Sequence, residues 1–586
     1  MSFFLNFFHT LLSNRKIHLF AGGVLVLTSL ILLTTDLISE STIAALRKLM
    51  NRSVSGEVMD YYLRKLNFLV YTLLFCGLFP LAKDCFSRCF SKLNNKLNEW
   101  LNKEGFTEKS GTFLLFSFWM GIFFRTESYL CSHFWNDTLA LICSISSTTW
   151  SNLVTQTLPE MQSAPPGVLL LIKLPGEIFG YREQLLTFPV FIAGILSLFV
   201  FYKLLKELFS PQIRAVIFFL FACNASAIFY AGELKQYGFD LFFCILLLYH
   251  TVRLLKDDSL KVMPGALLSG IAAVLFSHAS LLFIPAFGAV LFFQRVCKNR
   301  AALRGVILLN IFWGSAVLAA GLLALKTMPR GMYIYHAPFF APLPFDAAGI
   351  QWYKSLIQNI FAFPCSLSLN HLLTGSAAAV CVLAGIFCQW RRNGWLCICG
   401  VLPVLLMFGA SFCNSYPVDS ANNAAAARFQ LFTIPLFYLF AGRTLEYLFR
   451  HRPALFAITG CYFGATAAFI LLFSFPIYWN IRPLCSALSA ASRPGEPLFI
   501  NYGASLALRG SFYNKVHSNS QKLPESGLEK LDWDKVKPVL PRKGTFRIFI
   551  CQVKYAKQLE EKLKENFEVT KHERAGGTLF EVCSKD

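Results

Sequence analysis

Three short stretches set polar and ionisable side chains into otherwise apolar chain. In "YAGELKQYGFDLFF", Tyr230 to Phe243, the residues Glu233, Lys235, Gln236 and Tyr237 stand between two runs built almost wholly of Phe, Leu, Ile and Ala. "HFWNDTLAL" places Asp137 directly after an aromatic pair and Asn136, and "SYPVDSANNAAAARFQLFTIP" brings Arg428 to the mouth of the next apolar run. A charge at bilayer depth is expensive and usually marks function. A lysine ammonium in such a place can hold an anion, and the planar fork of an arginine suits a phosphate. The same residues also have a plainer structural reading. Glu233 and Lys235 would pair in a hairpin that caps two helix ends, and Asn136-Asp137-Thr138 would be a helix start. The choice depends on where the membrane ends, and so on the elements that carry these residues.

The chain has 586 residues, of which 55% are hydrophobic, 15% aromatic and only 15% charged, and its mean hydropathy is +0.51. That composition excludes an ordinary soluble protein and implies a polytopic membrane protein. An excess of 54 Lys and Arg over 33 Asp and Glu gives +21, which the concentration of basic residues in inner loops explains better than nucleic-acid binding does. The 18 Cys sit in apolar runs such as "LLFCGLF" without metal-ligand or CxxC spacing and read as small buried hydrophobes. No metal-ligand cluster and no cofactor motif is present, so no cofactor is expected.

Apolar runs able to cross a bilayer lie near 19–35, 67–82, 111–124, 186–203, 214–231, 238–252, 303–326, 372–389, 395–413, 429–446 and 454–478, and 264–294 holds two short ones meeting at "FSHAS". The expected fold is therefore an all-α membrane domain of about thirteen transmembrane helices. With the N-terminus in the cytoplasm, basic residues gather in the inner loops at 83–109, 253–261, 295–304, 391–392 and 443–452, as positive-inside statistics require. Residues 1–110 read as an N-terminal extension with two spans and an amphipathic helix on the inner membrane surface. Residues 111–479 form the core, with external loops 125–185, 327–371 and 414–428. Residues 480–586 read as a small extracytoplasmic α/β domain, with strands at "PLFINYG", "FRIFICQV" and "GGTLFEVC" and a helix at "YAKQLEEKLKENF". On this topology Glu233, Lys235, Gln236 and Tyr237 occupy a tight external turn, on the same face as Asp137 and Arg428.

The ordered set "WND", "QSAPPGVLLLIK", "GELKQYGFDLF", "FSHAS", "MYIYHAPFFAPLPF" and "SYPVDSANNAAAARFQLFTIP" resembles the polytopic glycosyltransferases of the C-type fold. The branch is the one that includes protein O-mannosyltransferases and the lipid A aminoarabinose transferase. The resemblance covers roughly residues 111–586. It implies transfer of a sugar from a polyprenyl-phosphate donor, with inversion, to a glycan, lipid or protein acceptor on the external face. In those terms Asp137 is the candidate base. Lys235 and Arg428 would hold the leaving phosphate, and Gln162, Glu233, Tyr237, His278, Tyr335 and His336 would contact substrate. Members of the family often pair two acids in the first loop, whereas this chain has Asn-Asp-Thr; that leaves open which acid Asp137 matches and argues against a metal there. For a bacterial chain the membrane would be the inner one and the active face periplasmic. The rival reading is a transporter or flippase of a lipid-linked substrate, but transporters place their ionisable residues near the midplane and commonly repeat internally, and neither pattern is seen.

Overall fold

The structure is a computed structural model. It describes residues 101–131, 134–256, 260–298, 303–342, 349–353, 371–418, 426–473, 496–510, 520–524, 532–551, 555–574 and 577–585, with isolated positions near 70–99 and 484–488. The span expected at 19–35, and most of the span at 67–82 and of the inner surface helix, fall outside these residues.

The core is a helical bundle. In chain order its main helices are α1 (Glu108–Cys131), α2 (Asn136–Ser147), α3 (Pro166–Phe179), α4 (Glu183–Leu208), α5 (Pro211–Ala222) and α6 (Tyr237–Lys256). They continue as α7 (Met263–Phe276), α8 (Ser280–Lys298), α9 (Leu303–Thr327), α10 (His371–Arg392), α11 (Gly394–Phe412), α12 (Ile434–His451) and α13 (Pro453–Phe473). Among the described residues, five helices are by themselves long and apolar enough to cross a membrane: α4, α6, α8, α9 and α11. Helix α4 packs along α6, α10 along α12, and α8 between α9 and α11. Phe201, Phe218, Phe221, Phe283, Phe287 and Phe440 are wholly buried in the centre. Lipid offers apolar side chains no drive to leave it, so close approach of small residues carries the packing. A Cβ on Gly385 of α10 would come within 1.9 Å of the Phe440 carbonyl oxygen of α12, which leaves that crossing open to glycine alone.

Three expected elements differ. The run at 214–231 is not one helix: α5 stops at Ala222, and Asn224 starts a short helix Ala225–Phe229, its side chain accepting from the Ala227 N–H at 2.9 Å. The external loop expected from residue 125 begins later, because α1 runs to Cys131. Arg125 stays buried within it, donating to the carbonyls of Gly121 and Ala222 at 3.0 Å each. The two departures share a cause, since ending α5 frees a terminal carbonyl and a buried guanidinium takes it up. The run at 429–446 likewise opens as a 3-10 helix, Ala426–Thr433, before α12.

The C-terminal region holds a five-stranded sheet in the order β2-β1-β3-β5-β4, with β1 (Leu498–Ile500), β2 (Ser520–Lys522), β3 (Thr545–Cys551), β4 (Phe567–Arg574) and β5 (Gly577–Ser584). The inner pair β1 and β3 run parallel, and β5 is antiparallel to both β3 and β4. Helices α14 (Tyr502–Gly510) and α15 (Ala556–Lys564) connect them. β1, β3, α15 and β5 answer to the four expected segments. The edge strands β2 and β4 were not expected.

Candidate active site

The ionisable residues singled out in the sequence converge at one end of the bundle. Asp137 lies in the first turn of α2, where helix polarity favours a carboxylate. Arg428 reaches it from the 3-10 helix Ala426–Thr433, 291 positions later, donating from Nη1 to Asp137 Oδ2 at 2.8 Å. The arginine side chain is 9% exposed and the aspartate 33%, so the carboxylate forms the open side of the pair. The guanidinium lies over Phe429, Trp135 and Tyr237, with its carbon 5.0, 5.8 and 5.8 Å from the ring centroids, a set of cation–π contacts. Burial works against its charge, but Tyr237, Asp137 and Tyr230 more than offset this, and its pKa rises. Its Nε is buried without a hydrogen-bond partner among the described residues.

The turn between Tyr230 and Tyr237 contributes the second cation. Its Gly232 lies against α1 so closely that a Cβ would meet the Ser128 carbonyl oxygen at 2.7 Å, which presses the turn into the bundle. Lys235 is 6% exposed and donates from Nζ to Gln162 Oε1 at 2.9 Å. Burial lowers its pKa to about 8 despite the opposing pull of Asp137, with Arg428 adding to the depression. Burial raises Glu233 to about 8, opposed by Lys235 and by a hydrogen bond from Trp135.

The other expected residues divide. The Tyr237 ring packs edge-on to Phe429 at 5.8 Å. His336, 8% exposed, ends the short helix Arg330–His336 with its ring 5.4 Å from Phe429. Burial, reinforced by Arg428, lowers its pKa to about 4, so it is neutral at pH 7. Tyr335 precedes it in the same helix. His278 stands apart from the ion pairs, in the turn between α7 and α8. It lines a pocket with Gln162, Ser163, Ser277 and Thr327, its Nε2 buried without a partner among the described residues. Burial lowers its pKa to about 4. Gln162 is common to both places, with one face on Lys235 and one on the pocket.

The sequence reading passed over three supporting residues. Trp135 shares Glu233 and Arg428, and lies in the quoted "HFWND". Asp240, in the quoted "YGFDLF", accepts from Ser277 Oγ at 2.5 Å and so ties α6 to the turn that carries His278. Lys173, the lysine of "QSAPPGVLLLIK", is 2% exposed and donates to the Ile145 and Thr148 carbonyls at 3.1 and 2.8 Å, at the far end of α2.

No protein of curated function matches the sequence. Among solved structures, the chain is similar to ArnT from Cupriavidus metallidurans bound to undecaprenyl phosphate, at 11% identity and a TM-score of 0.48, covering 80% of this chain and 97% of that one. It is also similar to the oligosaccharyltransferase AglB from Archaeoglobus fulgidus in complex with an inhibitory peptide and a dolichol-phosphate, at 12% identity and a TM-score of 0.45, covering 83% and 75%. Residues 163–319, which run from beside Gln162 through Lys235 and His278 into α9, match the family described as dolichyl-phosphate-mannose-protein mannosyltransferase.

Proposed function

We propose that the chain is a membrane glycosyltransferase that takes a sugar from a polyprenyl-phosphate donor and passes it, with inversion, to an acceptor hydroxyl on the extracytoplasmic face. The observation that carries this reading is the joining of Asp137, Arg428 and Lys235, from three distant segments, at one mouth of an apolar bundle. In the reaction the acceptor oxygen attacks the anomeric carbon as its proton passes to Asp137. The bond from that carbon to the phosphate oxygen breaks, and polyprenyl phosphate leaves with the electron pair. Arg428, through its unpartnered Nε, and Lys235 take up the developing phosphate charge. The sugar lies toward the Gln162–His278 pocket, whose lining contains no Asp, Glu, Lys or Arg and therefore suits uncharged hydroxyls. On this reading the C-terminal sheet stands on the same external face, which is supported by the Tyr502–Glu160 hydrogen bond and the packing of α14 on α2.

The test is release of free polyprenyl phosphate by purified protein in lipid, from a panel of polyprenyl-phosphate sugars. Asp137→Asn keeps its fold and loses turnover by about a thousandfold, within the range general base catalysis contributes. Arg428→Ala and Lys235→Ala lower kcat/KM for the donor, through KM for the phosphate charge already present and through kcat for the charge that develops. A normal rate for Asp137→Asn removes the assigned base, and no release from any donor by folded wild-type protein removes the reaction class.

A further inference from the structure

Beside the site lies a strained segment. Glu160 and Met161 are consecutive non-glycine residues with φ of 54° and 49°, in the left-handed region that side chains avoid. Such backbone persists only where its surroundings over-determine it. Ser144 of α2 donates to the Pro159 carbonyl at 2.5 Å. Met161 lies against the backbone of Gly331, where an added Cβ would meet its sulfur at 2.4 Å. The third hold comes from the C-terminal region, where the Tyr502 hydroxyl donates to Glu160 Oε2. The next residue after the strained pair is Gln162, which accepts from Lys235.

Tyr502 is itself firmly placed. It opens α14, which packs on α2, the helix whose first turn carries Asp137. Asn501 fixes that helix to the sheet, accepting from the Ala504 and Cys551 N–H groups at 2.9 and 3.0 Å and donating to the Cys551 carbonyl at 2.7 Å. Gly503 allows the approach, since a Cβ there would lie 2.9 Å from the same carbonyl oxygen. The ends of the inner strands β1 and β3 thus connect, through α14, to the loop beside Lys235.

We infer that the C-terminal domain is a positioning element for the site: the Tyr502–Glu160 hydrogen bond holds Pro159–Gln162 in its left-handed shape and so keeps Gln162 on Lys235. This rests on the reading of Lys235 as the donor-phosphate cation. Tyr502 and Glu160 touch no substrate in this scheme; they act through Gln162.

Tyr502→Phe removes the hydroxyl and leaves the ring. Hydrogen exchange at residues 160–162 of the full-length protein in lipid rises at least tenfold in this variant, and kcat/KM for the donor falls five- to tenfold, mostly through KM. Adding Glu160→Gly, which populates the left-handed region without penalty and leaves the Ser144 and Met161 contacts in place, restores at least half of the lost kcat/KM. A purely structural contact would not be rescued by that second change. Unchanged exchange at 160–162 overturns the inference whatever the enzyme's activity. A loss of kcat/KM that Glu160→Gly leaves untouched overturns it as well. If wild-type protein releases polyprenyl phosphate from no donor while exchange responds as expected, the fault lies in the reading of the site and the latch stands.

Discussion

Lys235 is the residue whose chemistry pH tests most directly. Its pKa, lowered to about 8, means that the ammonium is present below that pH and is lost as pH rises through it. A phosphate needs the charged form, so kcat/KM for the donor, which reports groups of the free enzyme, falls above pH about 8. Lys235→Arg carries a charge that persists beyond pH 12 and removes this alkaline limb, at some loss of geometry. Glu233→Gln moves the limb to lower pH, because the carboxylate that favours the ammonium is gone. An identical limb in all three proteins would assign it elsewhere. The sequence made Lys235, Glu233, Asp137 and Arg428 legible because each stands out in polarity from its apolar surroundings. It could not show that Arg428 would spend one nitrogen on Asp137, a pairing across 291 positions. Trp135 stayed hidden for a related reason, since an aromatic in an aromatic-rich chain carries no local signal of the acid it contacts.

At the scale of elements, the site depends on how α2 is held at both ends. Its N-terminal turn presents Asp137, while its last carbonyls would be orphaned without a donor. Lys173 supplies that donor from α3, also forming an ion pair with Glu177 at 2.6 Å and lying 5.4 Å from the Trp150 ring centroid. Two charge-assisted bonds inside the protein are worth about 3 kcal/mol together, allowing for desolvation. Lys173→Met keeps the stem and removes the donors, so thermal unfolding in lipid shifts down, and the donor kcat/KM falls as α2 loosens. Lys173→Arg restores part of both. An unshifted midpoint for Lys173→Met would show that water serves the carbonyls as well. Most helices were legible from apolar run length. The break at Asn224 was not, because the run continues on either side and only the Ala227 N–H, capped by Asn224, decides it. β2 and β4 were missed because they are edge strands without a buried alternation strong enough to stand out from loop and helix.

Among the described residues of the bundle, the main ion-pair clusters lie at its two ends. At one end stand Asp137, Arg428, Lys235 and Glu233. At the other, Glu446 accepts from Arg443, Arg392 and Arg450 at 2.6, 3.0 and 2.8 Å, and Glu104 meets Lys206 and Arg214 at 2.5 and 3.0 Å. Helix α4, with 26 residues, spans about 39 Å at 1.5 Å per residue, enough to cross the hydrocarbon core with some tilt. The basic end falls in loops that the positive-inside rule expects on the inner side, and labelling decides whether that end faces the cytoplasm. Cys413, just beyond α11, and Cys297, in the last turn of α8, are both exposed thiols, yet they belong to opposite ends. In variants retaining one of these cysteines each, a membrane-impermeant maleimide applied to intact cells modifies Cys413 at once and Cys297 only after permeabilisation. The reverse pattern would turn the protein over and move the Asp137 site to the cytoplasmic side. Equal labelling of both from outside would break this two-ended arrangement itself, because no bilayer could then lie between the acid–arginine site and the basic cluster around Glu446.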